Sequence, residues 1–237
     1  MTVFRQGPQL GGGHTEVTSM STAEPIDVRD MKIVHETFRR LYDEGARLVR
    51  ANPTPTPERV TFLADHIEFG VAMLHNHHES EDELLYPLLV ERAPDHAAMT
   101  KAVEHQHTEV TTAIDAVSAA CAAWRRQPSA ETAEALAQSL DSLNAMLQPH
   151  LDDEEQQIVP LAAVTLTQEE WVAMGEHSRA AIPRDRMAVA FGMLLEPLSD
   201  ADRAYMKAEL PAPVRLLFPV LIQRPWNKYR ETLRNGV

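Results

Sequence analysis

The chain has 237 residues, 44% of them apolar, a single cysteine and a formal net charge of −13. That is enough apolar material for a domain core plus an appendage without disulfide support, and so acidic a body argues against bulk nucleic-acid binding, because phosphates attract Lys and Arg; no nucleic-acid partner is expected. No run of about 18 apolar residues suggests a membrane span, and residues 1–27 lack the apolar stretch of a secretion signal, so the expected location is the cytoplasm.

Residues 1–26 have no hydrophobic period, are Gly-rich around Gly11, Gly12 and Gly13, and are expected to be a disordered N-terminal segment. Ile26-Asp27 reads as a helix entry with Asp27 as N-cap. Proline breaks at Pro53, Pro55 and Pro57, then at Pro94, Pro128 and Pro160, divide the chain beyond Asp27 into four helices over roughly 28–51, 58–91, 97–126 and 130–161. Connections this short favour antiparallel neighbours, which predicts an all-α, up-down-up-down four-helix bundle over 27–162. Residues 163–237 read as a helical C-terminal extension. Its short helices are expected over 168–181, 185–196, 200–209 and 212–222, with one more after Pro225. Thr167 with Glu170 resembles a capping box, and Ser199 with Asp202 is a second acidic helix start. The last segment is basic: Arg215, Arg224, Lys228, Arg230 and Arg234 stand against Glu231, a net of +4 that leaves −17 for the rest. Its apolar Val214–Ile222 stretch is expected to cap the bundle, ahead of docking a protein partner or a second copy through 211–237, and ahead of lying on an anionic membrane.

Read at helical steps of three and four, every inward stripe of the bundle is interrupted by polar residues. The first carries His35 between Met31 and Phe38; the second carries His77 and Glu81 between Leu74 and Leu84. The third has His107 between Val103 and Val110, and the fourth His150 and Glu154 between Leu147 and Ile158. His75 and His78 lie about 200° and 100° around the helix from His77 and are expected to meet water. Glu79, Asp82, Glu83, Asp152, Asp153 and Glu155 read as a solvated acidic face. His66, about 16 Å along the helix from His77, is set apart as a non-ligand. Tyr42 reads as core, with a role beside the site as the lesser reading. Cys121 with Trp124 reads as packing, and His177 as structural or exposed. Buried unpaired carboxylates are costly, and a pair of divalent or trivalent cations would compensate them, since His and Glu at i, i+4 reach one centre. An internal repeat supports this: His77, Glu81 and Pro87 share the offsets of His150, Glu154 and Pro160, so the bundle reads as two similar hairpins, each giving a lone His and then a His-x-x-x-Glu pair. Glu104 and His107 form a Glu-x-x-His pair without a second copy, which disfavours a ferritin-like site.

On these repeats, over about residues 28–161, the chain resembles the hemerythrin-like family, also called the HHE cation-binding domain. The resemblance implies a non-haem di-iron centre with His35, His77, His107 and His150 as terminal ligands and Glu81 and Glu154 as bridging carboxylates. Manganese and zinc rank below iron. Oxygen-carrying members have a further His where this chain has Thr111, and an Asp five residues after the fourth-helix His where the nearest match is Glu154 at four. The six-ligand set is closer to relatives that handle nitric oxide or peroxide, or that sense iron and oxygen. The expected function is binding, and reaction with, O2, H2O2 or NO, as a di-iron oxidoreductase acting in oxidative or nitrosative stress. The alternative is a non-enzymatic sensor signalling through the C-terminal extension.

Overall fold

The computed structural model describes residues 24–52 and 55–235. The expected disorder therefore lies outside the described residues for positions 1–23, as does the first break at Pro53. Eleven α-helices and no strand occur among the described residues. In chain order, α1 is Arg29–Ala51, α2 Pro57–Leu84, α3 Tyr86–Arg92, α4 Ala97–Arg126, α5 Ala130–Asp153 and α6 Val159–Thr165. The chain is all-α: α1 packs on α2 and α5, and α4 closes the ring by packing on the same two helices. None of the helices is long and apolar enough to cross a membrane.

Local chemistry sets where these helices start. Thr56 caps α2 by accepting from the Arg59 N–H, with Pro57 in the first turn where no donor is lost. A capping box between Ser129 and Thr132 starts α5. The first helix differs from expectation: its N-cap is Val28, one residue later than Asp27. The Asp27 carboxylate still accepts from the Arg29 N–H at 3.1 Å, so the residue serves the helix end from one position further out.

Pro87 and Pro160, at equal offsets in the two hairpins, break the second and fourth helices. Proline lacks the N–H that would continue the ladder and clashes with the carbonyl four residues back. In the first hairpin α2 stops at Leu84 and α3 begins at Tyr86. In the second, a π-helical turn over Glu154–Ile158 absorbs the misfit, with the Val159 N–H bonding to the Glu154 carbonyl.

The core has three layers. A large apolar cluster includes Phe38, Leu74, Val110 and Leu147. A second includes Met31, Leu85, Val103 and Ile158. On each bundle helix the residues between these anchors are the inward histidines and glutamates. They form one polar layer sealed between two apolar ones.

The extension folds back onto the bundle. Its helices are α7 (Gln168–Ala180), α8 (Met187–Leu195), α9 (Asp200–Ala208), α10 (Ala212–Leu216) and α11 (Arg224–Asn235). The predicted capping interactions at Thr167/Glu170 and Ser199/Asp202 are present. Helix α7 packs on α2, and α8 packs on α1 and α11. Trp226 crosses α8 at Gly192, where any side chain would collide with the indole ring. Arg59 of α2 donates to the Thr232 and Leu233 carbonyls at the end of α11, and Arg234 pairs with Glu44 and Glu196. These contacts make the basic end a cap on the acidic bundle. In the Val214–Ile222 stretch, Phe218 and Ile222 are buried while Leu216, Leu217, Val220 and Leu221 face outward.

His66 joins bundle and cap, its Nδ1 lying 3.1 Å from the Tyr229 hydroxyl of α11. Burial, with Arg186 and Arg59 nearby, pushes its pKa down to about 4. The unfolded chain therefore takes up this proton first, and stability falls as pH drops from about 6.5 toward 4. His66→Phe is expected to remove about 3 kcal/mol of that acid sensitivity, at 1.36 kcal/mol per pKa unit. Denaturant midpoints of wild type and variant across this range give the comparison, and parallel curves would refute it.

Candidate metal centre

All six residues singled out by periodicity and repeat meet in the polar layer. His35, His77, Glu81 and Glu154 form one group whose ligating atoms lie within 4.8 Å of one another. His107 and His150 belong to a second group, and its third member is His78. The expectation that His78 meets water is wrong: it is 3% exposed and stacks on His107 with ring centroids 4.1 Å apart. His75 is exposed as expected. The buried arc of a bundle helix is 100° wide or more, so a residue one step from His77 still faces inward. In the second repeat the equivalent of His78 is Leu151, fully buried. The two hairpins are thus not equivalent at this position.

The two carboxylates reach toward both groups. Glu81 Oε1 lies 3.3 Å from His77 Nε2, and its Oε2 lies 3.8 Å from His107 Nε2. Glu154 Oε2 lies 3.4 Å from His35 Nε2 and 3.5 Å from His150 Nε2, with Oε1 at 4.0 Å from His107 Nε2. The Tyr86 hydroxyl donates to Glu154 Oε1 at 2.5 Å. Tyr86 lies off the predicted inward stripe, and its one signal in the sequence is its place beside Pro87 at the end of the repeat.

Outside this layer, acidic side chains hold the rings. Asp82 accepts from His107 Nδ1 at 2.7 Å, and Glu155 lies 3.1 Å from His35 Nδ1. Each is the residue directly after a repeat glutamate, and each serves the lone histidine of the other hairpin. Gln106 Oε1 takes His150 Nδ1 at 3.0 Å, while Gln106 Nε2 donates to Asp153 at 2.9 Å. Arg39 anchors Glu155 and Asp152, both at 2.7 Å. The acidic face is therefore only partly a solvated surface, since Asp82, Asp153 and Glu155 orient the imidazoles. An Nδ1–H given to such an acceptor leaves Nε2 with its lone pair toward the centre. Asp82→Asn is expected to weaken metal affinity about 10- to 100-fold, measured by competition with a chelator. Unchanged affinity would show that His107 needs no charged outer acceptor.

The electrostatics are those of a site short of positive charge. Burial, and then the neighbouring Glu154 charge, drive the Glu81 pKa well above the ordinary carboxylate range. Burial also opposes ionisation of Glu154, but His35, 3.4 Å away, and the surrounding imidazoles outweigh it and hold its pKa well below normal. Burial disfavours charge on His35, yet the nearby Glu154 and Glu155 carboxylates win and raise its pKa. Burial depresses His77 and His78 well below normal and His150 to about 4. Burial together with the Glu154 and Glu81 charges keeps Tyr86 protonated. Nine buried polar atoms in this one layer lack a hydrogen-bond partner: Nε2 of His35, His77, His107 and His150, both nitrogens of His78, both oxygens of Glu81, and Glu154 Oε2. Buried polar groups are rarely left this way, and a cluster of them asks for an ion. The donor set of imidazole and carboxylate suits one.

The remaining candidates fall elsewhere. Tyr42 is core, donating to the Gly70 carbonyl at 3.1 Å, and Thr111 is exposed. Cys121 is buried in the main core, where burial pushes its thiol up to about 12. His177 is exposed beside Glu83.

A closed ring of four helices around a buried His/Glu layer defines a bundle-core cation-binding protein. The family model described as the hemerythrin HHE cation binding domain matches residues 27–162, and the chain belongs to that family. Comparison with curated proteins and with solved structures found no match.

Proposed function

We propose that the chain is a non-haem, carboxylate-bridged di-iron protein that binds and reacts with a small oxidant, O2, H2O2 or NO. One observation carries the reading: the partnerless atoms fall into two groups, and Glu81 and Glu154 reach toward both. His35 and His77 would hold one ion and His78, His107 and His150 the other. A sulfur-free set with more than four donors favours iron over structural zinc, with manganese second. Bound iron would supply Lewis acidity and electrons to the oxidant. The chain's own residues supply the setting. Asp82, Glu155 and Gln106 orient rings, Tyr86 keeps a proton at Glu154 Oε1, and the apolar layers on either side exclude bulk water. Anaerobic purification with iron quantitation, followed by optical spectra with O2, NO and H2O2 added separately, tests this. About two irons per chain and an oxidant-dependent absorption change are expected. One zinc per chain with no iron-dependent absorption would end the proposal.

The sensor alternative draws on the packing of α7 against α2, the helix that carries His77, His78 and Glu81. Stopped-flow mixing with peroxide or NO separates the readings. Multiple turnovers support the enzyme, whereas stoichiometric binding with a change at the extension supports the sensor.

A further inference from the structure

Among the five inward histidines, three have an outer hydrogen-bond partner, namely His35, His107 and His150. His78 has none, and both of its nitrogens are sealed in protein. His77 differs from all four. Its Nε2 is occluded beside Glu81, but its Nδ1, which no described residue pairs with, is not among the sealed atoms. His77 is 6% exposed, and it lines a cavity of about 140 Å³. One wall of this cavity comes from α1 and α2, with Phe38 and Met73. The opposite wall comes from the extension, with Met174, Met187 and Phe191.

We infer that the extension completes a binding chamber beside the metal layer for a small neutral organic molecule. Its apolar body is the size of a six-membered ring, and its one accepting oxygen is anchored by His77 Nδ1–H. The size follows from volume, since an apolar cavity of about 150 Å³ accommodates benzene. Methionine side chains on both walls can repack around such a guest. Neutrality follows from the lining, which is mainly apolar and whose charged side chains, half-buried Asp30 and exposed Arg179, are one of each sign, so that neither an anion nor a cation is favoured. The oxygen follows from the orphaned imidazole nitrogen. With Nε2 turned to the centre, Nδ1 carries the proton and needs an acceptor. The direction of that hydrogen bond rests on the metal reading; the chamber does not.

The test uses the full chain with ¹³C-methyl methionine, metal-free and iron-loaded, and cyclohexanone as probe. In the metal-free chain saturable shifts are expected at the five methionines that line the chamber, Met31, Met73, Met174, Met187 and Met206, and not at Met99 or Met146. The carbonyl stretch of bound cyclohexanone should move to lower frequency in wild type. In His77→Phe that displacement should vanish while the methyl shifts persist. No shift, or shifts spread over all methionines, would overturn the chamber, and an unaltered carbonyl frequency in the variant would overturn the anchor. Iron quantitation on the same samples keeps the outcomes distinct: iron uptake without methyl shifts defeats only this inference, and methyl shifts without iron uptake defeat only the di-iron proposal.

Discussion

Glu81→Met is expected to strip metal from the centre and at the same time make the metal-free chain more stable. The Glu81 side chain is fully buried, neither of its oxygens has a hydrogen-bond partner, and its pKa is raised because the site resists a second negative charge. Without a cation the protein must either bury that charge or hold the carboxyl protonated, and both cost free energy. Replacing buried ionic groups by apolar ones of similar volume is often neutral or stabilising by about 1–4 kcal/mol. Methionine keeps the length of the side chain and continues the apolar surface between Leu74 of α2 and Leu85 at its C-cap. Denaturant unfolding of chelator-treated protein should show the gain, and metal analysis of untreated protein should show the loss. A variant that keeps its metal, or whose metal-free form is less stable, would mean that Glu81 is a structural residue.

His78→Leu should reduce the metal held per chain by about half while leaving the fold intact. This substitution installs the residue that the second hairpin already has at the equivalent place, Leu151, so packing is not at issue. It removes one of three imidazoles from the group that includes His107 and His150. Losing an outer partner costs metal sites about 10- to 100-fold in affinity, and a direct donor should cost more than that. Both His78 nitrogens are partnerless, so in metal-free protein the change should also lift a penalty of about 1–3 kcal/mol for each buried group. Metal stoichiometry after dialysis is the readout. If it is the same as in wild type, the stacking of His78 on His107 is packing alone.

Much of this architecture was legible along the chain. Helical periodicity located each inward stripe because a residue's burial in a four-helix bundle is fixed mainly by its angle around its own helix. The His-x-x-x-Glu repeat located the polar layer because two similar hairpins, packed face to face, bring equal offsets to equal depth. Capping pairs such as Thr167 with Glu170 are local chemistry and read directly. His78 was misjudged for a reason of the same kind. A single stripe of three- and four-residue steps is narrower than the arc that neighbouring helices cover, and the width of that arc depends on the neighbours. The roles of Asp82 and Glu155 were hidden because each acts on a histidine of the other hairpin. Tyr86 was hidden because its hydroxyl reaches across the bundle to Glu154.

By itself the sequence determined the four helical stretches of the bundle, the central stripe of each inward face and the six residues at one depth, since these depend on spacing along a single rod. Only the tertiary structure decided which nitrogen has an outer partner, which histidine is the odd one out, and that the extension closes a cavity against His77. Those properties are distances between separate helices, and they come into being only when the helices pack.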